Sequence, residues 1–64
     1  MKNPIEECYL ELEQVLSDSM IDAEKFVNGN NSAGTRVRKS MQRVKELAQQ
    51  VRIEIQEQKK SVPV

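Results

Sequence analysis

The residues of this chain that are best suited to chemistry are its cations. From Arg36 to Lys45 the sequence reads "RVRKSMQRVK", with five Lys and Arg side chains in ten residues and no acid. An arginine guanidinium meets two oxygens of one phosphate at once, and a lysine adds a mobile point charge. The cluster predicts a phosphate-binding surface, and we take as candidate nucleic-acid ligands Arg36, Arg38, Lys39, Arg43 and Lys45.

A charged run on a helix is most often only a solvated surface. Two observations favour binding here: the cations concentrate in one part of the chain, and no acid occurs from residue 25 to residue 45. DNA, RNA or an acidic protein would each satisfy such a cluster electrostatically, so these partners stay open on charge alone.

The side chains that enzymes and metal sites need are missing from the sequence. It has no histidine, and no serine, threonine or cysteine has a recognisable base to activate it. Gly29 and Gly34 do not form a phosphate-binding loop, because no strand precedes them and no GK[ST] follows. The single cysteine, Cys8, permits neither an internal disulfide nor a zinc site. We therefore expect no enzyme, no cofactor, no metal and no small-molecule substrate.

The length of the chain limits its core. Its 64 residues form at most one small domain, and with no disulfide or metal to reinforce it, association with a copy of itself or another protein is the remaining route to stability. No apolar run approaches the ~20 residues of a membrane span, and acids stand where a signal peptide has its apolar core. We expect a cytoplasmic protein.

A net charge of zero hides an asymmetry between the two halves. Residues 1–33 carry seven acids and two bases, a net charge of −5, whereas residues 34–64 carry eight bases and three acids, a net charge of +5. Such a split predicts that the halves pair with each other or that the basic half meets a polyanion.

Two helices and one turn account for the apolar pattern. Apolar side chains recur at alternating steps of three and four, which is the spacing of a heptad seam on a helix. The first seam consists of Ile5, Tyr9, Leu12, Leu16, Ser19, Ala23 and Phe26, and the second of Val37, Met41, Val44, Ala48, Val51 and Ile55. The turn formers "NGNNSAG" separate them. We predict an all-α fold in which residues 1–64 form one antiparallel helical hairpin, with helices over about 4–27 and 34–60 and a turn at 28–33.

Local signals predict how these helices begin and end. Asn3 is a predicted N-cap, with Pro4 in the first turn that follows it. Gly29 suits the left-handed residue that ends a helix, and one of residues 30–32 caps the next. Gly34 either allows a backbone or a phosphate to approach closely or extends the turn.

The hairpin sorts the cations by their position along it. Folding at the turn places residue n opposite about residue 64 minus n, and this register predicts two ion pairs, Glu6–Lys59 and Glu13–Arg52. No acid lies opposite the five candidate ligands. We therefore expect the turn end of the hairpin to present an uncompensated basic surface.

Further apolar residues lie beside or behind the seam and predict a partner. Val15 and Leu47 widen the seam on one side, and the others point away from it. We predict that each hairpin packs on a second copy to give a four-helix homodimer, which supplies the missing core. The residues of this predicted partner interface are Leu10, Val15, Ile21, Leu47 and Ile53.

The segment from Asp22 to Lys60, 39 of the 64 residues, resembles the short bacterial histone H1-like proteins, relatives of the chlamydial histone-like family. In "GNNSAGTRVRKSMQ" and the later "LAQQVRIEIQE", an Asn-Gly turn, an Ala-Gly step, an Arg-x-Arg-Lys run and a Leu-Ala-Gln turn of helix occur in the family's order. The resemblance implies a nucleoid-associated protein of the bacterial cytoplasm that binds DNA with little sequence preference. By position, the family's basic run is Arg36, Arg38 and Lys39.

One departure from that family bears on how DNA is bound. The chlamydial members carry a lysine- and alanine-rich tail, whereas this sequence stops at "KKSVPV", so we expect DNA binding to come from the helical surface. Residues and resemblance together predict a DNA-binding homodimer that contacts the phosphate backbone. The alternative is a helical module that binds another protein through Leu10, Ile21 and Ile53 and has no nucleic-acid role.

Overall fold

The computed structural model describes residues 3–61 and consists of two α-helices, α1 (Pro4–Val27) and α2 (Asn31–Ser61). At the end far from the turn, the side-chain amides of Asn3 and Gln58 form two hydrogen bonds with each other, 3.3 and 3.0 Å long. The helices therefore run antiparallel along their common length. The predicted all-α helical hairpin is confirmed.

Helix α1 begins where the local signals place it. Asn3 has an extended backbone, and its Oδ1 accepts a hydrogen bond of 2.9 Å from the N–H of Ile5, so Asn3 is the N-cap. Pro4 takes the first helical position, where a missing N–H leaves no partner unsatisfied. The helix then continues without a break through residues 17–19, three poor helix formers.

The turn is only three residues long because Asn30 serves both helices. Gly29 adopts a φ of 105°, and the N–H groups of Gly29 and Asn30 donate to carbonyls of the last turn of α1 at 3.0 and 2.9 Å, the pattern of a Schellman motif. Asn30 is also the N-cap of α2, since its Oδ1 accepts a hydrogen bond of 3.1 Å from the N–H of Ala33. As a result α2 begins at Asn31, three residues before the predicted start.

Gly34 lies inside α2 and faces the ring of Phe26. A Cβ placed on Gly34 would stand 2.6 Å from Cδ1 of that ring, so the aromatic side chain uses the space that the glycine leaves. Phe26, predicted opposite residue 38, thus lies against Gly34, one helical turn nearer to the connection. The predicted register is wrong by about one turn, because the shorter turn brings the start of α2 forward.

The contact between the helices uses only half of each predicted seam. Its residues do recur at steps of three and four, but each helix is rotated from the predicted orientation by roughly 50°, half of the ~100° between successive residues. In α1 the buried and half-buried residues are Ile5, Cys8, Leu12, Val15, Ser19, Asp22 and Ala23. In α2 they are Ala33, Gly34, Val37, Ser40, Val44, Leu47, Val51, Glu54 and Gln58.

Small side chains in this contact leave room for close packing of the two backbones. Ala33 is fully buried, and Ser19 is 5% exposed. The hydroxyl of Ser19 donates a hydrogen bond of 3.3 Å to the carbonyl of Leu16 in the preceding turn, so burying it leaves no polar group unpaired.

The rotation leaves the other half of the predicted seam exposed on one side of the hairpin. Tyr9, for example, is 54% exposed and Leu16 is 48% exposed, and Met20 and Val27, which lie beside the predicted seam, are exposed as well. Helical spacing places these side chains on the same side of both helices. We call this surface the apolar face, and it consists of Tyr9, Leu16, Met20, Val27, Met41 and Ile55. The opposite side of the hairpin is polar.

Candidate nucleic-acid interface

Helix α2 carries all five candidate ligands, and its orientation divides them into two groups. Arg36 and Arg43 stand four residues before the contact residues Ser40 and Leu47, so they share that edge of the helix and lie beside α1. The other three candidates lie on the half of α2 that faces away from α1, and all three are exposed. We call these three residues the outer basic surface: Arg38, Lys39 and Lys45.

Arg36 is held by an acid of α1. Its Nε donates a hydrogen bond of 2.9 Å to Oδ1 of Asp22. The Asp22 side chain is only 20% exposed, whereas the Arg36 side chain is 49% exposed. The guanidinium therefore lies over a largely covered carboxylate on the polar side of the hairpin and still presents about half of its surface to solvent.

Arg43 is held by two acids. Its Nε and Nη2 both lie 2.7 Å from Oε2 of Glu11 on α1, and its Nη1 lies 3.2 Å from Oε1 of Glu46, three residues further along α2. The hydrogen bonds with Glu11 and then Glu46 raise the pKa of Arg43 above its ordinary value. Arginine is charged at any relevant pH, so the functional consequence is competition: a phosphate must displace a carboxylate to reach this guanidinium.

The expectation that no acid of the chain pairs with the five cations is therefore wrong for Arg36 and Arg43. The predicted pairs Glu6–Lys59 and Glu13–Arg52 are also wrong, since neither is present among the ion pairs of residues 3–61. The physical cause is the same in both cases. The rotated contact brings the polar edges of the two helices together and turns the edges with Glu6 and Glu13 outward.

The outer basic surface keeps the predicted character. Within residues 3–61, Arg38, Lys39 and Lys45 take part in no ion pair and no side-chain hydrogen bond. They extend over about 10 Å of the helix axis, which matches the rise of about three phosphates along one strand of a duplex. None of these three cations would have to break an ion pair within the described hairpin to contact another molecule.

The predicted partner residues divide in a similar way. Leu47 is 3% exposed and Val15 is half-buried, so both contribute to the contact between α1 and α2 within the chain. Leu10, Ile21 and Ile53 are exposed on the outward halves of their helices. Of the predicted partner interface, the hairpin therefore leaves these three residues uncovered, whereas Leu47 is already covered.

Sequence reasoning missed Asp22 and Glu11 as the residues that restrain the cluster. The sequence does contain a pattern that points to them. Arg36 and Arg43 are seven residues apart, as are Ser40 and Leu47, so all four lie along one edge of α2, and a helix contact through this edge brings both arginines to α1. The signal becomes decisive only when the rotation of the helices is known.

The side chains of the described residues limit the kinds of site that the hairpin carries. Among residues 3–61 there is no cluster of potential metal ligands, and neither helix has the length and hydropathy that would let it cross a membrane. The hairpin does carry a basic surface on one helix, a feature that is typical of small helical proteins that bind polyanions.

The chain belongs to the histone H1-like protein Hc1 family, whose family model matches residues 6–61. This is a family of DNA-packaging proteins, and membership points to a DNA-binding protein of the nucleoid. The resemblance found in the sequence is thus confirmed, and it extends beyond the segment on which it was first based. Neither the comparison with curated proteins nor the comparison with solved structures finds a match.

Proposed function

We propose that the chain binds duplex DNA in the bacterial nucleoid through the phosphate backbone, with little preference for sequence. The observation that carries this proposal is the outer basic surface, three exposed cations without a partner in the hairpin, on a member of a histone H1-like family. Arg36 and Arg43 border this surface and add to it when a phosphate displaces Asp22 or Glu11.

The chemistry of the surface favours contacts with phosphates over contacts with bases. The only aromatic residues, Tyr9 and Phe26, belong to α1, so the basic surface of α2 offers no platform on which a base could stack. Arginine and lysine contacts to phosphate position a protein on DNA but carry no sequence information by themselves. Binding of this kind is expected to be strongly dependent on salt.

We further propose that the protein acts as a homodimer, which brings two copies of the basic helix α2 to one duplex. The support is the small core of the single hairpin: within residues 3–61 the buried hydrophobic residues are Ala33, Leu47 and Val51. A chain of this length with so few buried apolar side chains gains stability by covering more of its apolar surface.

The direct test is fluorescence-anisotropy titration of a mixed-sequence ~20-bp duplex at 50 and 200 mM salt. Three phosphate contacts per hairpin give six per dimer, so we expect binding at low salt and a loss of about 10³-fold in affinity at the higher salt. Absence of binding at 50 mM salt would contradict the proposal and would direct attention to a protein partner, the alternative function.

The restraint of Arg43 by Glu11 predicts that removing this acid strengthens DNA binding. We expect Glu11→Gln to increase the affinity for the duplex by about three- to tenfold at 50 mM salt, because it replaces the carboxylate that holds Nε and Nη2 of Arg43 by a neutral amide and leaves Glu46 alone to pair with that guanidinium. The salt dependence should become steeper by about one phosphate contact per hairpin.

Glu7→Gln is the matched control for this variant. Glu7 lies on the same helix one turn before Glu11, is exposed, and forms no ion pair within residues 3–61. Both substitutions remove one negative charge, but only Glu11→Gln removes an ion pair of Arg43. Equal gains in affinity from the two variants would show that overall charge, and not the release of Arg43, controls binding.

A further inference from the structure

The single hairpin leaves much apolar surface uncovered. Within residues 3–61 no large side chain is fully buried, and ten large hydrophobic side chains are exposed. Six of them form the apolar face, which runs along both helices. Near the turn this face deepens into a groove of about 490 Å³, lined mainly by Ala23, Phe26, Val27 and Val37.

The size of the apolar face fits a protein partner. Its six side chains expose on the order of 600 Å², more than scattered surface residues account for and close to the ~800 Å² that each partner buries in a standard interface. Charged residues along its edges would contribute the remaining area. The charges on those edges also indicate which partner fits.

The two long edges of the apolar face carry opposite charges. The edge along α1 is acidic and consists of Glu6, Glu13 and Glu24. The edge along α2 is basic and consists of Arg38, Lys45, Arg52 and Lys59. None of these seven residues forms an ion pair within residues 3–61. A partner with a basic edge over α1 and an acidic edge over α2 would satisfy both, and a second copy of this chain has those edges.

We propose that the apolar face binds the apolar face of a second copy, with each α1 packed on α2 of that copy and both turns at the same end of the dimer. This inference rests on the homodimer proposed above and specifies its interface. The reverse arrangement, with the turns at opposite ends, places α1 on α1 and α2 on α2. It would bring acid against acid and base against base, which costs affinity.

The register within the hairpin predicts which residues meet. Phe26 lies against Gly34 and Asn3 against Gln58, so residue n of α1 is level with about residue 60 minus n of α2. With both turns at one end, the same levels apply between copies. Glu13 then meets Lys45 of the second copy, and Met20 meets Met41 of the second copy. In the dimer, therefore, a phosphate must displace Glu13 of the second copy to reach Lys45, just as it must displace Glu11 to reach Arg43.

Disulfide cross-linking distinguishes the two arrangements directly. Met20→Cys and Met41→Cys would be made separately in a Cys8→Ser background, refolded together and oxidised gently. We expect a mixed disulfide between the two variants and at least about tenfold slower cross-linking of either variant alone, because only unlike helices lie against each other in this dimer.

A Leu16→Cys variant in the same background tests the opposite arrangement. Leu16 lies near the middle of α1, so turns at opposite ends would place it beside Leu16 of the second copy and give rapid self-cross-linking. Rapid self-cross-linking of this variant, together with no mixed disulfide between residues 20 and 41, would overturn the proposal.

Charge reversal gives a second measurement that does not depend on cysteine chemistry. We expect Glu13→Lys and Lys45→Glu each to weaken dimerisation about tenfold in sedimentation equilibrium without DNA, and the double variant to recover most of the loss. A double variant weaker than either single one would contradict the pairing of these two residues.

Sedimentation, disulfide cross-linking and the anisotropy titration distinguish failure of the dimer, of its interface and of the proposed function. A wild-type chain that sediments as a monomer at ~100 μM overturns both the dimer and its interface, whatever the anisotropy titration shows. A dimer without the mixed disulfide overturns this interface alone. Loss of DNA binding in the anisotropy titration overturns the proposed function and leaves the dimer interface standing.

Discussion

Reversing the charges of Arg38 and Lys39 together is expected to nearly abolish DNA binding. We expect the variant Arg38→Glu/Lys39→Glu to bind the duplex at least about 100-fold more weakly than the wild type at 50 mM salt. The two residues are exposed and unpaired within residues 3–61, so no acid of the hairpin competes with the phosphates that we propose they contact. The variant removes two cations from each hairpin, four from the proposed dimer, and puts repelling carboxylates in their place.

The variant Lys59→Glu/Lys60→Glu is the matched control. It reverses two adjacent cations on the same helix and changes the net charge by the same amount, but at the end far from the turn. There Lys60 lies 3.9 Å from Glu57, and the outer basic surface is not involved. We expect a loss of less than about threefold in affinity.

Anisotropy titration of both variants, with circular dichroism to verify equal helix content, checks this prediction. Comparable losses in the two variants would mean that net charge alone governs binding, and the assignment of a surface on α2 would have to be given up. A loss of helix content in the first variant only would require charge neutralisation by Arg38→Gln/Lys39→Gln instead, for which we expect a loss of about tenfold or more.

The features of the fold that could be predicted are those that local chemistry determines. The N-cap at Asn3 and the left-handed Gly29 follow from side-chain and backbone preferences that act within a few residues. The two helices follow from a periodicity that is repeated along each of them. Family membership was likewise accessible, because the order of the motifs is a property of the sequence itself.

The rotation of the helices could not be predicted, because each of them has apolar side chains on more than one side. Tyr9 and Leu16 continue the heptad of α1 as well as Cys8 and Val15 do, so periodicity alone accepts either set. The three-residue turn and the packing of Phe26 on Gly34 decide between them. Both features depend on residues that only folding brings together, so no short segment of the sequence reveals them.

The unknown rotation also limits how much of the candidate site could be predicted from the sequence. The outer basic surface was predictable because Lys39 lies on the outward side of α2 in either orientation. Arg38 and Lys45 were predicted beside the seam, but no acid of α1 pairs with them in either orientation. The restraint of Arg36 and Arg43 was not predictable, because a rotation of roughly 50° decides whether an arginine faces solvent or an acid of the other helix. Positions at the edge of a helix contact are therefore the ones for which sequence reasoning is least reliable.

The same rotation predicts that substitutions of Leu47 and Leu10 affect stability differently, although both residues were expected in the partner interface. Leu47 is 3% exposed in the contact with α1, whereas Leu10 is 47% exposed on the outward side of its helix. We expect Leu47→Ala to lower the free energy of unfolding by about 2–4 kcal/mol, and Leu10→Ala by less than about 1 kcal/mol.

A loss of 2–4 kcal/mol is large for this chain, since a single small core rarely supplies more than ~3–5 kcal/mol in total. Urea or thermal unfolding followed by circular dichroism, at one fixed protein concentration because a dimer makes stability depend on concentration, measures both variants. Leu47→Ala should be largely unfolded at room temperature, and Leu10→Ala should unfold close to the wild type. Equal losses would contradict the rotated contact and, with it, the exposure of the apolar face, because the rotation of α2 that buries Leu47 is the one that turns Met41 and Ile55 outward.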